Sequence, residues 1–275
     1  MKFLLHLSLT SNLKLNPIII LNRFKHTKMA SETSKRPNRV AIVWFRNDLR
    51  LNDNLTLNKA IDLIYKKRVD LVLPFYCYDK EMLDGVSRIA KIPRCGSFRR
   101  NFLIESVENL KENLIKRLDS NLIVSYGEPV TELSKLVERV LSTSNIVDCV
   151  LASKEVPSEE VELEEKLAKY LKEKNIIFSL VWDSTMIHID DLPYDNLSKM
   201  PDTFTHFRKD VEQRGDYKVR NYVPIKDNYK LPTFKELDNF ENENTPKKVE
   251  IPVIDLKKSA IANMKGILIY NMTTM

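Results

Sequence analysis

Between residues 40 and 181 the chain alternates, five times over, a short apolar run with a stretch that can be helical, and few folds accept that order. Runs of five to nine residues with no polar alternation suit strands buried on both faces. A strand, helix, strand order joins neighbouring strands in parallel through right-handed crossovers. The sequence therefore predicts an α/β fold: a five-stranded parallel, Rossmann-like sheet with helices on both faces, followed by an extended linker. The expected strands are Val40 to Phe45, Val69 to Cys77, Asn121 to Ser125, Ile146 to Ala152 and Ile176 to Val181.

The helices are read from caps and spacing. Asn54 can cap a helix reaching about Lys67, with Leu55, Ala60, Leu63 and Ile64 on its buried side. Ser97 opens a long helix in which Phe98, Phe102, Leu103, Val107, Leu110, Leu114 and Leu118 recur at helical spacing, with Glu105 on the opposite flank. Pro129 begins a third, to Leu141, and Pro157 a fourth, to Lys174. Glu159 and Glu160 suit the start of that fourth helix and read, by themselves, as solvated charges. Pro74 removes a ladder donor, so it is expected near the end of its strand or beside a bulge. Residues 79–97 form a long polar connection, a length often tied to function. Past Trp182 the periodicity fades into a short helix at 204–214 and then into prolines and asparagines. Residues 39–190 thus read as the folded domain, 191–266 as a linker with short helices, and 267–275 as an aberrant apolar tail.

Charge sorts the ends from the body. Residues 1–38 hold seven basic side chains against the single acid Glu32, which accounts for the whole net charge of +6. The balanced remainder gives no support for a body that binds nucleic acid through bulk charge. The acid-poor leader reads as an unfolded transit peptide, with the mitochondrion as first destination and a plastid, or a cytoplasmic or nuclear product begun at Met29, as alternatives. Its longest apolar run, Ile18 to Leu21, is far below the roughly 20 residues of a membrane span, so no membrane association is expected. Cys77, Cys95 and Cys149 are odd in number and widely spaced, and only His188 and His206 lie outside the leader; no disulfide framework and no metal site follow.

The chemistry concentrates at VAIVWFRNDLRLNDN, residues 40–54, where a buried strand ends in alternating charge. Ligands of open parallel sheets bind at such carboxyl ends. The alternative is a loop whose Arg46, Asp48, Arg50 and Asp53 satisfy one another and cap the next helix. Trp44 and Phe45 can stack on a planar ligand or pack in the core. The five glycines are scattered and none follows the first strand, which argues against a phosphate loop. No catalytic triad is legible.

VWFRNDLRLNDN resembles the opening of the photolyase and cryptochrome family. PFYCYD, RCGSFRRNFLIESVENLKENL, SKEVPSEEVELEE, LVWDSTMIHIDDLPY and MPDTFTHFRKDVE follow in the order of the cryptochrome DASH group, from about Arg39 to Pro232. The resemblance implies an N-terminal α/β antenna half, with methenyltetrahydrofolate as its pigment, and a helical half that holds FAD and DNA. It implies Glu105 as an acceptor for the pterin ring, with Trp44, Arg46 and Asp48 as weaker pigment-binding candidates. SAIANMKG at 259–266 resembles the segment before the helical half, and the chain then continues as ILIYNMTTM, which reads as a truncated product. FAD and DNA are accordingly expected only in a full-length form, and no residue here is assigned a catalytic role. Folate binding to this chain is expected to be weak, since a pocket shared between halves loses a wall. The surface left by the helical half is apolar and open to a partner or to aggregation, and an orphan binding or regulatory module remains the alternative function.

Overall fold

The computed structural model describes residues 36–87, 89–213, 220, 223–225, 229–233 and 245–250. The chain divides at Arg36 into two units, and the fold below belongs to the second, Pro37–Met275. The leader up to Lys35 and the stretch from Ile251 onward, on which the expectations of targeting and truncation rest, lie outside the described residues.

Five strands form one parallel sheet: β1 (Arg39–Phe45), β2 (Leu71–Asp79), β3 (Ile123–Gly127), β4 (Ile146–Ser153) and β5 (Ile177–Val181). Their order is β3-β2-β1-β4-β5. From central β1 the chain steps outward to β2 and β3, then returns to β4 on the other side, so the topological switch lies between the carboxyl ends of β1 and β4. Among the described residues six α-helices join or follow the strands: α1 (Leu55–Tyr65), α2 (Lys80–Asp84), α3 (Ser97–Leu118), α4 (Pro129–Ser142), α5 (Ser158–Glu173) and α6 (Phe204–Gln213).

β1 shows why the apolar runs lack alternation. Ala41, Val43 and Phe45 enter one core with α1 and α3, whereas Val40, Ile42 and Trp44 enter another with α4 and α5. Both faces of the strand are buried, so every position is apolar. Asn54 caps α1 as expected, accepting from Leu57 N–H at 2.8 Å, but Thr56, Leu57 and Ala60 carry the buried side in place of Leu55. Pro74 stands mid-strand opposite Val43, earlier than expected from the end of β2. β3 joins β2 only from Phe75, and Val72, two residues back and facing the same edge, donates to Pro232 O at 2.8 Å. Pro74 therefore withholds no ladder bond, because no strand lies on its N side.

α3 departs most from its expected stripe. Its buried residues are Ile104, Val107, Leu110, Leu114 and Leu118, while Phe98 and Phe102 stand exposed. A 22-residue helix is about 33 Å long and the five-residue β3 beside it about 17 Å. The first turns of α3 consequently overhang the carboxyl edge of the sheet, where no strand can cover the two phenylalanines. With few glycines available, four crossover helices end on left-handed residues of other types: Lys67 (φ 54), Asp119 (φ 50), Ser144 (φ 60) and Asn175 (φ 58).

Candidate functional site

The carboxyl ends of β1 and β2, the overhang of α3 and the first turns of α4 and α5 enclose a cavity of about 230 Å³. Trp44, Tyr76, Phe102, Leu103 and Leu163 supply apolar wall, and Arg46, Asn47, Asp79, Arg99 and Glu160 the polar groups. Each strand delivers its last side chains there because the chain must leave the sheet at that edge.

Arg46 anchors the floor. It is 8% exposed, and its Nη1 donates to Glu164 Oε1 at 2.6 Å and to Ser153 O at 3.3 Å. Nη2 donates to Glu160 O at 3.2 Å and also pairs with the Glu160 carboxylate. The guanidinium lies 4.7 Å from the Trp44 ring centroid, within cation–π range. Glu164, 3% exposed, also accepts from Glu155 N at 2.9 Å and pairs with Lys154. The network ties the ends of β1 and β4 to α5 and compensates every charge it buries. Asn47 donates to Glu155 Oε1 at 3.0 Å, and burial pushes the Glu155 carboxyl above its ordinary range.

Asp79 ends β2 as Arg46 follows β1. Its Oδ1 accepts from Glu81 N at 2.8 Å and Met82 N at 3.4 Å, capping α2, and burial raises its carboxyl above the usual carboxylate range. Burial likewise pushes the Cys77 thiol up to about 12, so it stays protonated and is no nucleophile at neutral pH. The cavity is suited to holding a flat ring by apolar contact and a few hydrogen bonds. Among the described residues no group of three or more His, Cys, Asp or Glu could hold a metal ion, and no helix is long and apolar enough to cross a membrane.

The residues singled out from sequence separate here. Trp44 and Arg46 line the cavity. Asp48 does not: it accepts from Arg50 N, Nε and Nη2 at 3.0, 2.9 and 3.0 Å, and Arg50 Nη1 lies 3.8 Å from Asp53. The self-satisfied loop is thus real for three of its four charges, while Arg46 pairs elsewhere. Glu105 is exposed on α3, with Lys248 Nζ at 3.7 Å, and is not among the cavity's lining residues. Glu160, read as a solvated charge, is instead a partner of buried Arg46. Asp79, Phe102 and Glu160 were missed as site residues. Asp79 carried a usable signal, a carboxylate directly after an apolar strand, whereas Glu160 needed the tertiary fold.

Two further hollows follow β5. One of about 450 Å³ is polar, with Arg50, Asp183, His188, Asp191 and Arg220 on its walls. The other, about 710 Å³, is an apolar groove walled by Trp182, Met186, Leu192, Met200, Phe204 and Phe207 among others.

Across residues 41–226 the chain matches the family model described as DNA photolyase. It is 36% identical over 210 residues to a tomato (Solanum lycopersicum) protein named cryptochrome DASH, chloroplastic/mitochondrial, covering 70% of this chain and 33% of the relative. The structure of a Synechocystis cryptochrome superposes with a TM-score of 0.63 at 31% identity, covering 72% of this chain and 38% of that one. An archaeal photolyase from Sulfolobus tokodaii, described with two FAD molecules and as implying a novel light-harvesting cofactor, superposes at 0.50 with 25% identity over 75% of this chain and 42% of its own. The chain spans about a third of the length of the curated relatives it matches.

Proposed function

Since the chain belongs to the DNA photolyase family, we propose that its α/β domain is the light-harvesting half of a cryptochrome DASH type flavoprotein and that the cavity at the strand ends receives the pigment. The observation that carries this is the cavity itself: an aromatic and aliphatic hollow closed by Trp44, Tyr76, Phe102 and Leu103, with few polar groups, at the edge where open parallel sheets bind ligands. The Sulfolobus protein's light-harvesting cofactor favours a pigment role on this fold. Methenyltetrahydrofolate is the proposed pigment. Trp44 and Arg46 form the floor beneath it, and Glu105, one turn beyond Phe102 on the surface of α3, serves as an acceptor at the rim once Lys248 withdraws. Asp48 acts only indirectly, by holding Arg50 in the loop.

Light-driven chemistry on DNA is proposed for a longer form that adds a helical, FAD-holding domain; FAD would supply the electron transfer. The α/β domain by itself is proposed to bind pigment weakly. Titrating the purified protein with methenyltetrahydrofolate and following near-ultraviolet absorbance tests the reading. Saturable binding weaker than micromolar is expected, and a linear response up to the solubility limit would sink it. The leader is proposed to direct import into the mitochondrion, in line with the tomato relative's name. Residues 1–38 fused to a fluorescent protein should label that organelle, and diffuse cytosolic fluorescence would exclude import.

A second reading, an α/β module that binds a partner without photochemistry, is favoured by the apolar groove, where Met186 is 90% and Phe204 75% exposed. Under it, Phe204→Glu should abolish concentration-dependent self-association in sedimentation and leave folate absorbance unchanged.

A further inference from the structure

The connection from α2 to α3 holds an apolar tip in water on a rigid mount. Val86 and Pro93 form an isolated antiparallel bridge, Ser87 N donates to Ile92 O at 2.8 Å, and Lys91 N donates to Ser87 O at 3.0 Å. Ser87 Oγ also accepts from Ala90 N at 3.2 Å, and Lys91 takes a left-handed φ of 55°. Both roots of the turn are clamped. Asp84 accepts from Arg100 Nη1 at 2.6 Å and from the Tyr126 hydroxyl, while Arg94 pairs with Glu159 and lies 3.6 Å from Glu81. A turn fixed in this way still presents Ile89 at 96% exposure, with Val86 and Ile92 more than half exposed beside it. Phe98 and Phe102 stand exposed on the same overhang, at the start of α3. Apolar side chains gathered and held in water in this number mark an interaction surface, whereas single scattered ones need no explanation.

Charge selects the partner. From Gly85 to Ile104 the sequence has five basic residues and no acid. The carboxylates that reach this edge from outside, Asp84, Glu81 and Glu159, are engaged by Arg100 and Arg94. Lys91 and Arg99 are exposed and meet no carboxylate among the described residues; Arg99 touches Met82 Sδ at 3.9 Å. We propose that the turn closed by Val86 and Pro93 docks on an anionic lipid bilayer, with Ile89 and Ile92 entering the boundary between headgroups and acyl chains and Lys91 staying among the headgroups. A convex aliphatic tip asks of its partner only an apolar layer beneath negative charge, and a bilayer offers both without a matching shape. Single-stranded nucleic acid would need aromatic faces to stack on, and the apex has none. The expectation of no membrane association rests on the lack of a spanning segment, which a surface anchor does not require. The inference is independent of what the strand-end cavity holds.

The basic leader can carry the chain to anionic vesicles by itself, so the test must report from the tip. Cys77, Cys95 and Cys149 are buried, which lets a nitrobenzoxadiazole label be placed on the full chain through Ala90→Cys, at an exposed position beside Ile89. A second labelled chain carries Glu173→Cys, exposed at the far end of α5. With vesicles of phosphatidylcholine and phosphatidylglycerol in equal parts, the label at 90 should shift to the blue and brighten, and the label at 173 should not change. Pure phosphatidylcholine should leave both unchanged. Ile89→Asp should abolish the shift, and Lys91→Glu should raise the lipid concentration at half-shift by at least about fivefold, the effect of one cation at such a surface. No shift at 90 while the chain co-sediments with the vesicles would assign binding to the leader and overturn the proposal. An equal shift on pure phosphatidylcholine, or one that survives Ile89→Asp, would overturn it as well. A shift produced by single-stranded oligothymidylate but not by vesicles would give the surface to nucleic acid instead. Should Ile89→Asp fail to fold, the two labels on otherwise unaltered chains decide alone.

Discussion

The two faces of the sheet are covered by different means. On the α4 and α5 side, every buried residue lies between Val40 and Ile176, and the two amphipathic helices bring Leu133, Leu136, Val137, Val140, Leu167 and Leu171 to the strands. On the α1 and α3 side the helices leave space that residues from far downstream fill. Leu231 and Ile225 are buried in that core, and Tyr229 packs on Tyr65 with ring centroids 5.6 Å apart. Main-chain bonds hold the return: Leu231 N to Leu118 O at 2.8 Å, Val72 N to Pro232 O at 2.8 Å, and Asp53 N to Val223 O at 3.0 Å. Further on, Asn101 exchanges bonds of 2.7 and 2.9 Å with Val249, and Lys248 reaches Glu108 at 2.9 Å. One face is thus closed by neighbours in sequence, the other by a strap drawn from the stretch that reads as linker. Loss of periodicity does not prevent a segment from serving as wall when a few apolar residues meet a groove.

The largest effect is expected on the self-contained face. Arg46→Ala takes from buried Glu164 one of its two cations, leaving Lys154, strips Glu160 of its partner and should cost about 3–5 kcal/mol in urea unfolding, whereas Asp48→Ala, in the exposed loop pair, should cost under about 1 kcal/mol. Equal losses would place Arg46 outside the core network. Next, Leu231→Ala should cost about 2–4 kcal/mol, as much as Leu171→Ala on the opposite face. A loss below about 0.5 kcal/mol, the usual size for a surface position, would reduce the strap to a tether. Asn101→Ala should cost about 1 kcal/mol and speed hydrogen exchange at Val249 without altering α4 or α5. Protection lost on both faces would deny their independence.

Two smaller effects test the edges. Lys67→Gly removes a left-handed side chain and should stabilise by up to about 1 kcal/mol. The carboxyls of Asp79, Glu155 and Asp183, at the carboxyl edge, are all raised, chiefly by burial. Such groups hold a proton more tightly in the folded chain. Their contribution is complete below the unfolded carboxylate pKa and is lost as pH rises through the raised folded values. Asp183→Asn should therefore flatten the fall in melting temperature as pH rises above the unfolded carboxylate pKa of about 3.9; an unchanged slope would show that Asp183 does not contribute.

Most of the architecture was legible because its cause is local. An apolar run with no alternation must be buried on both sides, and α4 and α5 carry their buried faces in their own spacing, so strand number, parallel pairing and the two-sided cover follow from residues 40–181. Asn54 was readable as a cap because it directly precedes the helix it opens, and Trp44 and Arg46 as strand-end residues because they border the end of β1. What only the tertiary structure decided depends on distance in sequence. α3 outruns the strands beneath it, so Phe98 and Phe102, periodic with the rest, emerge at the edge and one of them becomes cavity wall. Glu160 and Glu164 look like any acids on a helix until β1 aims Arg46 at them from more than a hundred residues away. Leu231 lies in a stretch without periodicity, and only the gap left over α1 and α3 makes it core. Periodicity records which side of an element is buried; it carries no information about which distant side chain arrives to meet it.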